Sequence, residues 1–219
     1  MNLDDQKKQA NLNLSGNLLN IAESTTMKGK IPDDNQIIEG CIAGKRTFQN
    51  MLYQKYARTM YVVCLRYASN QAEAEDLLQE GFVKAFLNIR NYSGKGSFEG
   101  WLKRIMINTA ISLFIKNKSK QDVISTDDIE SFSPSEEEVA YEFPGAAQAT
   151  TRQLLQLIQD LPEGYRMVFS LYAFEGFQHQ EIADKLGISL STSKTQLLKA
   201  RKYLQKQIDQ LQREERLVL

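Results

Sequence analysis

The chain has 219 residues, of which 42% are hydrophobic, so it is long enough for one large or two small packed domains. Lysine and arginine total 27, as do aspartate and glutamate, which excludes a uniformly basic protein that binds nucleic acid through its overall charge. A DNA-binding surface would have to come from local clustering of charged side chains.

The cysteines and the hydropathy pattern indicate where the protein works. Cys41 and Cys64 lie inside apolar helical patterns without a second pair of ligands, which predicts buried thiols rather than a disulfide framework or a zinc site. No apolar run approaches the roughly 20 residues of a membrane helix, and the N-terminus lacks a signal-peptide pattern. We therefore expect a cytoplasmic protein without membrane insertion.

The N-terminal third begins with a polar segment and continues with helices. Residues 1–31 are rich in Asn, Gln, Ser, Lys and Asp, which predicts a mobile extension or a short accessory helix. The character then changes, and Asp33 or Asp34 can cap a first helix. A longer helix follows, because apolar residues from Phe48 to Tyr67 recur at spacings of three and four.

The next predicted helix, after Asn70, has a wide apolar stripe beside an acidic and amide face. We expect Leu77, Phe82 and Phe86 of the stripe in the core. The acidic and amide face consists of Glu73, Glu75, Asp76, Gln79 and Glu80. From the residues alone, these are solvated side chains near the positive end of the helix dipole.

A glycine-rich break at Asn91–Gly96 separates this helix from a second one, which Ser97 can cap. The break lacks the spacing of a phosphate-binding loop and follows no strand, so it predicts a hinge. The helix after it places Phe98 and Trp101 among lysines, arginine and asparagine, a combination that suits unstacked bases and phosphates. Burial of at least one of the two aromatic rings is the alternative.

An acidic linker is predicted at 119–149. Between Gln121 and Ala149 its Asp and Glu residues are not matched by any Lys or Arg, and Pro134 and Pro144 interrupt it. Fully extended, it could span roughly 100 Å, so the flanking domains could contact separate places on one partner. Its acidity fits either ordinary solvation or imitation of nucleic acid.

The last domain opens at Thr150, and within it Glu175–Leu204 has the pattern of a helix-turn-helix. Apolar residues at helical spacing end at Gly187, and Ser189 or Ser191 can cap the helix that follows. That second helix has Ser193, Leu197, Ala200 and Leu204 on one face, and hydrogen-bonding and cationic side chains on the other. Such a helix fits a DNA major groove, although a helical hairpin with a solvated basic face has the same pattern.

Three segments resemble bacterial sigma factors of the extracytoplasmic-function group. The run EAEDLLQEGFVKAF resembles the part of sigma region two that docks on the clamp helices of core RNA polymerase. The run GKGSFEGWLKRIMINTAIS is similar to the part that melts the promoter and captures a flipped base of the −10 element. The run EGFQHQEIADKLGISLSTSKTQLLKARKYL resembles region four, which contacts the −35 element.

The resemblance implies partners and site residues. The partners would be core RNA polymerase and promoter DNA, and the sequence leaves open whether an anti-sigma factor also binds. The implied polymerase contacts are Asp76, Gln79 and Glu80. The implied residues for the −10 element and melting are Tyr92, Ser97, Trp101, Arg104, Asn108 and Ser112. The implied −35 contacts are Ser191, Thr192, Lys194, Thr195, Gln196, Lys199 and Lys202.

The expected fold is all-α, with two small helical domains joined by an acidic flexible linker, and with the helix-turn-helix in the C-terminal domain. The predicted divisions are the extension 1–31, region two at 32–118, the linker 119–149 and region four at 150–219. We expect a sigma factor that directs polymerase to promoters and helps to open them. The alternative is a helix-turn-helix regulator that does not replace the sigma subunit.

An enzyme and a response regulator fit less well. His179, the single histidine, is expected at an exposed polar position without a nucleophile nearby, so we expect no catalysis and no metal or other cofactor. A response regulator would need alternating strands and helices in the N-terminal half, where the periodicity is helical throughout.

The second helix of the motif departs from the family pattern. Where the family commonly has T-V-K-S-R, this chain has Ser193 in place of valine and Gln196 in place of arginine. Glutamine can form a bidentate pair with adenine, whereas arginine favours guanine, so promoter preference cannot be transferred from relatives.

Overall fold

The computed structural model describes residues 32–121 and 150–217, with side chains described as far as 118 in the first range and 213 in the second. The N-terminal extension predicted at 1–31 and most of the predicted linker lie outside the described residues. Every regular element within the described ranges is helical, which confirms the all-α prediction. None of these helices is both long enough and apolar enough to cross a membrane.

Eight α-helices and one 3₁₀-helix follow one another in the two described ranges. In chain order they are α1 (Asp34–Ile42), α2 (Arg46–Leu65), α3 (Gln71–Asn88), the 3₁₀-helix Ile89–Asn91, α4 (Phe98–Gln121), α5 (Thr151–Gln159), α6 (Glu163–Ala173), α7 (His179–Leu186) and α8 (Leu190–Leu217). The described residues form two compact units, which are divided within α4 between Thr109 and Ala110. The boundaries predicted at 118 and 150 stay predictions.

The first unit contains 32–64 and Ala72–Thr109, and an apolar core holds it together. Asp33 caps α1 as predicted, since its carboxylate accepts a hydrogen bond from the Gln36 N–H at 2.9 Å. Phe82 of α3 is fully buried, and its ring centroid is 4.7 Å from that of Tyr53. Close packing of α3 on α4 depends on Gly81, because an added Cβ would overlap the side chain of Met106.

The second unit contains Leu65–Gln71, the end of α4 and helices α5 to α8. Its most buried charged side chain in the described ranges is Arg166 of α6, which is 3% exposed. The guanidinium donates to the Gln159 and Leu161 carbonyls at 2.7 Å and to the Tyr67 carbonyl at 3.1 Å. Ser170, one turn further along α6, donates to the Arg66 carbonyl at 2.7 Å. Arg166 therefore donates hydrogen bonds both to carbonyls at and after the end of α5 and to a carbonyl of the Leu65–Gln71 segment.

The helix-turn-helix forms where the sequence predicts it. Gly187 ends α7 with a φ of 61°, a left-handed conformation that a side chain would disfavour. Of the two serines proposed as caps for α8, Ser189 is the cap, because its hydroxyl accepts from the Thr192 N–H at 3.0 Å. The turn thus depends on a glycine and a serine at the expected positions.

The prediction for His179 is wrong, because its side chain is buried with only 9% exposure. The ring Nδ1 is 2.9 Å from the Ser193 hydroxyl, and the ring stacks on Tyr172 with centroids 5.0 Å apart. A polar residue at the start of a short helix looks solvated in sequence. Here the first turn of α7 faces α6 and α8, and the fold supplies a hydroxyl partner that makes burial possible.

Both cysteines are buried and free, as predicted. Burial raises the pKa of the Cys41 thiol to about 11 and that of Cys64 to about 12. Both thiols are therefore protonated at neutral pH and serve as small apolar core residues. Within the described ranges there is no cluster of three His, Cys, Asp or Glu side chains that could hold a metal ion.

Candidate polymerase and nucleic-acid interfaces

The predicted polymerase contacts lie on one side of α3, away from its buried stripe. Asp76 is exposed, while Gln79 and Glu80 are half-buried. Glu80 forms an ion pair with Lys84 one turn later, with Nζ and Oε1 2.8 Å apart. The stripe itself is buried at Leu77 and Phe82 as predicted. Phe86 is only half-buried. The helix thus presents carboxylate and amide groups on a rigid support.

The loop before α4 is shaped by two glycines and a tyrosine. Gly94 and Gly96 have φ values of 73° and 83°, so the chain turns there through left-handed conformations. The Tyr92 hydroxyl donates to the Gly96 carbonyl at 2.8 Å, which closes the loop. Ser97 caps α4 as predicted, since its hydroxyl accepts from the Gly100 N–H at 3.1 Å.

An aromatic cluster joins this loop to the start of α4. The ring of Phe98 lies 5.2 Å from those of Tyr92 and Trp101 and 5.5 Å from that of Tyr56, between centroids. Phe98 is buried, whereas Tyr92 and Trp101 are half-buried. The alternative that at least one of Phe98 and Trp101 belongs to the core is confirmed for Phe98. The other two rings keep part of their surface available to a ligand.

Asp34 of α1 supports this cluster from behind. Its carboxylate accepts a hydrogen bond from Lys55 at 2.6 Å and another from the Tyr56 hydroxyl at 2.9 Å. The bond from Lys55 is the main reason that the pKa of Asp34 lies below its ordinary value. Burial, followed by the bond to Asp34, raises the pKa of Tyr56. The tyrosine is therefore held as a neutral hydroxyl donor beneath Phe98.

Residues 102–112 of α4 have two distinct faces. Arg104, Asn108 and Ser112 are exposed at spacings of four, whereas Leu102 and Met106 are completely buried. These spacings put the three polar side chains on one side of the helix, continuing from the aromatic cluster. The structure thus brings the predicted −10 residues up to Asn108 onto one surface of the first unit, and Ser112 follows on the same helix.

The predicted −35 contacts lie around the first three turns of α8. The stripe that faces the unit is buried as predicted, at Ser193, Leu197, Ala200 and Leu204. Ser191 and Lys202 are exposed, and the other predicted contacts are half-buried: Thr192, Lys194, Thr195, Gln196 and Lys199. The cationic side chains therefore lie beside a helix whose opposite side is fixed.

Gln196 differs from a freely exposed DNA contact, because its amide oxygen is buried. Its side-chain amide lies against Gly164 of α6, where an added Cβ would be 3.0 Å from Nε2. The amide Oε1 is buried and accepts no hydrogen bond from the described residues. A buried amide oxygen without a donor is unfavourable by about 1–3 kcal/mol, so the side chain gains by finding a partner.

Comparison with known proteins finds two family models that match this chain. The model for sigma-70 region 2 matches residues 52–120, and the model for sigma-70 region 4 matches residues 151–204. The RNA polymerase sigma-H factor of Pseudomonas aeruginosa is 30% identical over 189 residues, covering 83% of this chain and 96% of the relative. The chain belongs to the extracytoplasmic-function group of the sigma-70 family.

Two further similar proteins are also named as sigma factors. The sigma factor SigW of Bacillus subtilis, from the extracytoplasmic-function group, is 30% identical over 168 residues, covering 71% of this chain and 86% of the relative. Among solved structures, the sigma factor RpoE of Bartonella quintana in complex with the anti-sigma factor NepR is 19% identical. That similarity covers 72% of this chain and 94% of RpoE, with a TM-score of 0.41.

This sigma factor is a subunit that binds core RNA polymerase, directs it to promoters and takes part in their opening. Sigma factors are initiation factors rather than enzymes. Sequence reasoning missed the burial of two polar side chains, Arg166 and His179, and the hydrogen bond that joins His179 to Ser193. Ser193 carried a signal, because a serine on an otherwise apolar stripe needs a polar partner in the core. Arg166 carried none, since an arginine inside an amphipathic helix usually reaches solvent.

Proposed function

We propose that this sigma factor uses three surfaces, one for docking on polymerase and two for promoter recognition, and that its own chain catalyses no reaction. The polymerase surface consists of Asp76, Gln79 and Glu80 on α3. The −10 surface consists of Tyr92, Ser97, Trp101, Arg104, Asn108 and Ser112. The −35 surface consists of Ser191, Thr192, Lys194, Thr195, Gln196, Lys199 and Lys202. The sequence leaves open whether an anti-sigma factor binds, and the proposal includes none.

The −10 surface supports the proposal most directly. Arg104 and Asn108 point away from a helix whose other side is fully buried, and both follow a partly exposed tyrosine and tryptophan. Aromatic faces bind unstacked bases, while arginine and asparagine bind phosphates and base edges. The combination therefore suits single-stranded DNA better than an intact duplex, whose bases are stacked inside.

The polymerase surface is supported by charge and rigidity. Asp76 is exposed on a helix whose neighbours Leu77 and Phe82 are packed in the core, so binding would cost little additional ordering. The ion pair of Glu80 with Lys84 is exposed and weak, which leaves Glu80 able to exchange partners.

The test is transcription by core RNA polymerase reconstituted with the full-length chain, followed by sequencing of the 5′ ends of the transcripts. We expect start sites that share −10 and −35 elements. Ala at both Arg104 and Asn108 should reduce permanganate reactivity of the melted strand much more than closed-complex binding, because single-strand capture follows docking. Glu39→Gln, an exposed change on α1 of the same unit, is the control. Unchanged permanganate footprints would remove the −10 assignment.

The same reconstitution tests docking. Charge reversal at Asp76 and Glu80 should reduce capture of core polymerase while leaving helicity intact. If the two carboxylates face a basic surface of the polymerase, the cations that replace them are repelled by that surface. Reversal to Lys at both Glu39 and Asp209, which are exposed on α1 and α8, produces the same change in net charge and is the control. If the double variant captures polymerase as the control does, the acidic face of α3 is only solvated.

A further inference from the structure

A buried polar pair joins the first turns of α7 and α8. His179 is the first residue of α7, Ser193 is 0% exposed in the first turn of α8, and their Nδ1 and Oγ atoms are 2.9 Å apart. Along the same face of α8 the next buried residues, Leu197 and Ala200, are apolar. A hydrogen bond thus joins the two helices of the motif at the start of α8, where most of the predicted DNA contacts lie.

Two further side chains extend this pair into a stack that spans three helices. Tyr172 of α6 stacks on the His179 ring at 5.0 Å with an interplanar angle of 27°. The guanidinium carbon of Arg201, on α8, lies 5.4 Å from the centroid of the Tyr172 ring. An aromatic face and a hydroxyl together fix the orientation of the His179 ring.

The physical difference from an apolar contact is direction. Apolar packing depends on area and shape, whereas a hydrogen bond also requires a particular distance and angle. Ser193 lies between Thr192 and Lys194, two of the predicted DNA contacts. Fixing the Ser193 hydroxyl therefore fixes the rotation of α8 about its axis, and with it the direction in which both neighbours project.

We propose that His179 is a positioning residue for DNA binding, because its hydrogen bond to Ser193 sets the rotation of α8 that presents Thr192 and Lys194 to the −35 element. This inference rests on the proposed −35 role of α8. Relatives with valine at the position of Ser193 would hold the helix by packing alone. In this chain a hydroxyl and an imidazole perform that task.

The first test uses two substitutions of nearly the same shape. Ser193→Thr keeps a hydroxyl, whereas Ser193→Val replaces it with a methyl group. The probe is a labelled duplex with the promoter most used in the transcript sequencing described above, bound by polymerase carrying the full-length chain. We expect Ser193→Val to bind about fivefold more weakly and Ser193→Thr to bind within about twofold of wild type, the effect of one hydrogen bond.

The second test changes the histidine and does not depend on the folding of Ser193→Val. His179→Asn places an amide where Nδ1 lies, whereas His179→Gln places it nearer to Nε2. Only the asparagine can restore the bond to Ser193, so it should recover most of the affinity while the glutamine loses about fivefold. A residue that only stabilises the fold would separate the two amides in their urea midpoints, but not in DNA affinity once both variants are folded. Circular dichroism at the assay temperature checks that each variant is folded.

The controls separate this inference from the proposed function beneath it. If wild-type holoenzyme binds a duplex with a scrambled −35 element as tightly as the original, the −35 role of α8 fails. If wild type distinguishes the two duplexes, but Ser193→Val equals Ser193→Thr or His179→Gln equals His179→Asn, only the positioning role is overturned. Loss in the valine and glutamine variants, with recovery in threonine and asparagine, supports it.

Discussion

The first half of α4 and the first turns of α8 both carry predicted DNA contacts, but different forces hold the two helices. Behind α4 the packing is mostly apolar and aromatic, with Leu102 and Met106 completely buried and Phe98 between two other rings. The buried Thr109 hydroxyl bonds within α4 itself, to the Ile105 carbonyl. Behind α8 the apolar stripe is interrupted by a hydrogen bond between Ser193 and His179, which joins α8 to α7. Apolar packing supplies stability in proportion to buried area, whereas buried polar groups specify orientation.

This difference suits the two predicted tasks. Capture of unstacked bases uses partly exposed rings and flexible polar side chains, which tolerate small shifts of the supporting helix. Contact with base edges in a groove requires side chains in register with the base pairs, so a small rotation of the helix matters more. We therefore expect the contacts behind α4 to contribute mainly to the free energy of unfolding, and the contacts behind α8 to determine the orientation of that helix. Four predictions test this contrast.

The largest expected effect is from Phe82→Ala in the core of the first unit. The ring is fully buried against Tyr53 and Phe86, so its removal leaves a cavity and should lower the free energy of unfolding by about 3–5 kcal/mol. Trp101 is the only tryptophan of the chain and lies in the first unit, so its fluorescence in a urea titration reports this loss. A midpoint equal to that of wild type would contradict an apolar origin of stability there.

The next largest effect is expected from Arg166→Met in the second unit. The change leaves the Gln159, Leu161 and Tyr67 carbonyls without this donor, and we expect a loss of about 2–3 kcal/mol by circular dichroism in urea. Arg166→Lys serves as the matched variant, and it should also destabilise, because one ammonium cannot reproduce the planar guanidinium. If lysine restores wild-type stability, charge rather than the geometry of the donors is what the site requires.

Smaller effects are expected from two substitutions on α8, one of a predicted base contact and one of a predicted phosphate contact. Gln196→Ala should cost about 1–3 kcal/mol at the preferred promoter and flatten discrimination at one base pair. Lys199→Ala should weaken all sequences similarly and reduce the dependence of log affinity on log salt by about one. Binding of holoenzyme to single-base −35 variants at several salt concentrations measures both. If the Gln196→Ala variant keeps the wild-type base profile, Gln196 does not contact a base.

The smallest expected effect is the pH dependence from Asp34. Because its pKa is lowered in the folded state, its contribution to stability is present above the ordinary value of 3.8 and is lost as the pH falls through the folded value. The side chain is 44% exposed, so we expect a contribution below about 1 kcal/mol. Asp34→Asn should therefore be slightly less stable than wild type at pH 7, with the difference shrinking on acidification below pH 3.8. A constant difference across that range would contradict the assignment.

The sequence by itself determined the helices, their caps and the predicted surfaces of α3, α4 and α8. Helical spacing predicted the buried stripes, and Asp33, Ser97 and Gly187 marked helix ends, because these features depend on residues at most four positions apart. Resemblance to sigma factors supplied the roles of the exposed faces. The family itself is now shown by its matches to sigma-70 regions 2 and 4.

Only the tertiary structure decided which polar side chains are buried and what they contact. His179 looked solvated from sequence because its partner Ser193 is 14 positions away, and Arg166 reaches a carbonyl 99 positions away. The cost of burying a polar group depends on whether a partner is within hydrogen-bond distance, and chain neighbours do not reveal that. The orientation of α8, unlike its existence, therefore depends on contacts that only the folded chain brings together.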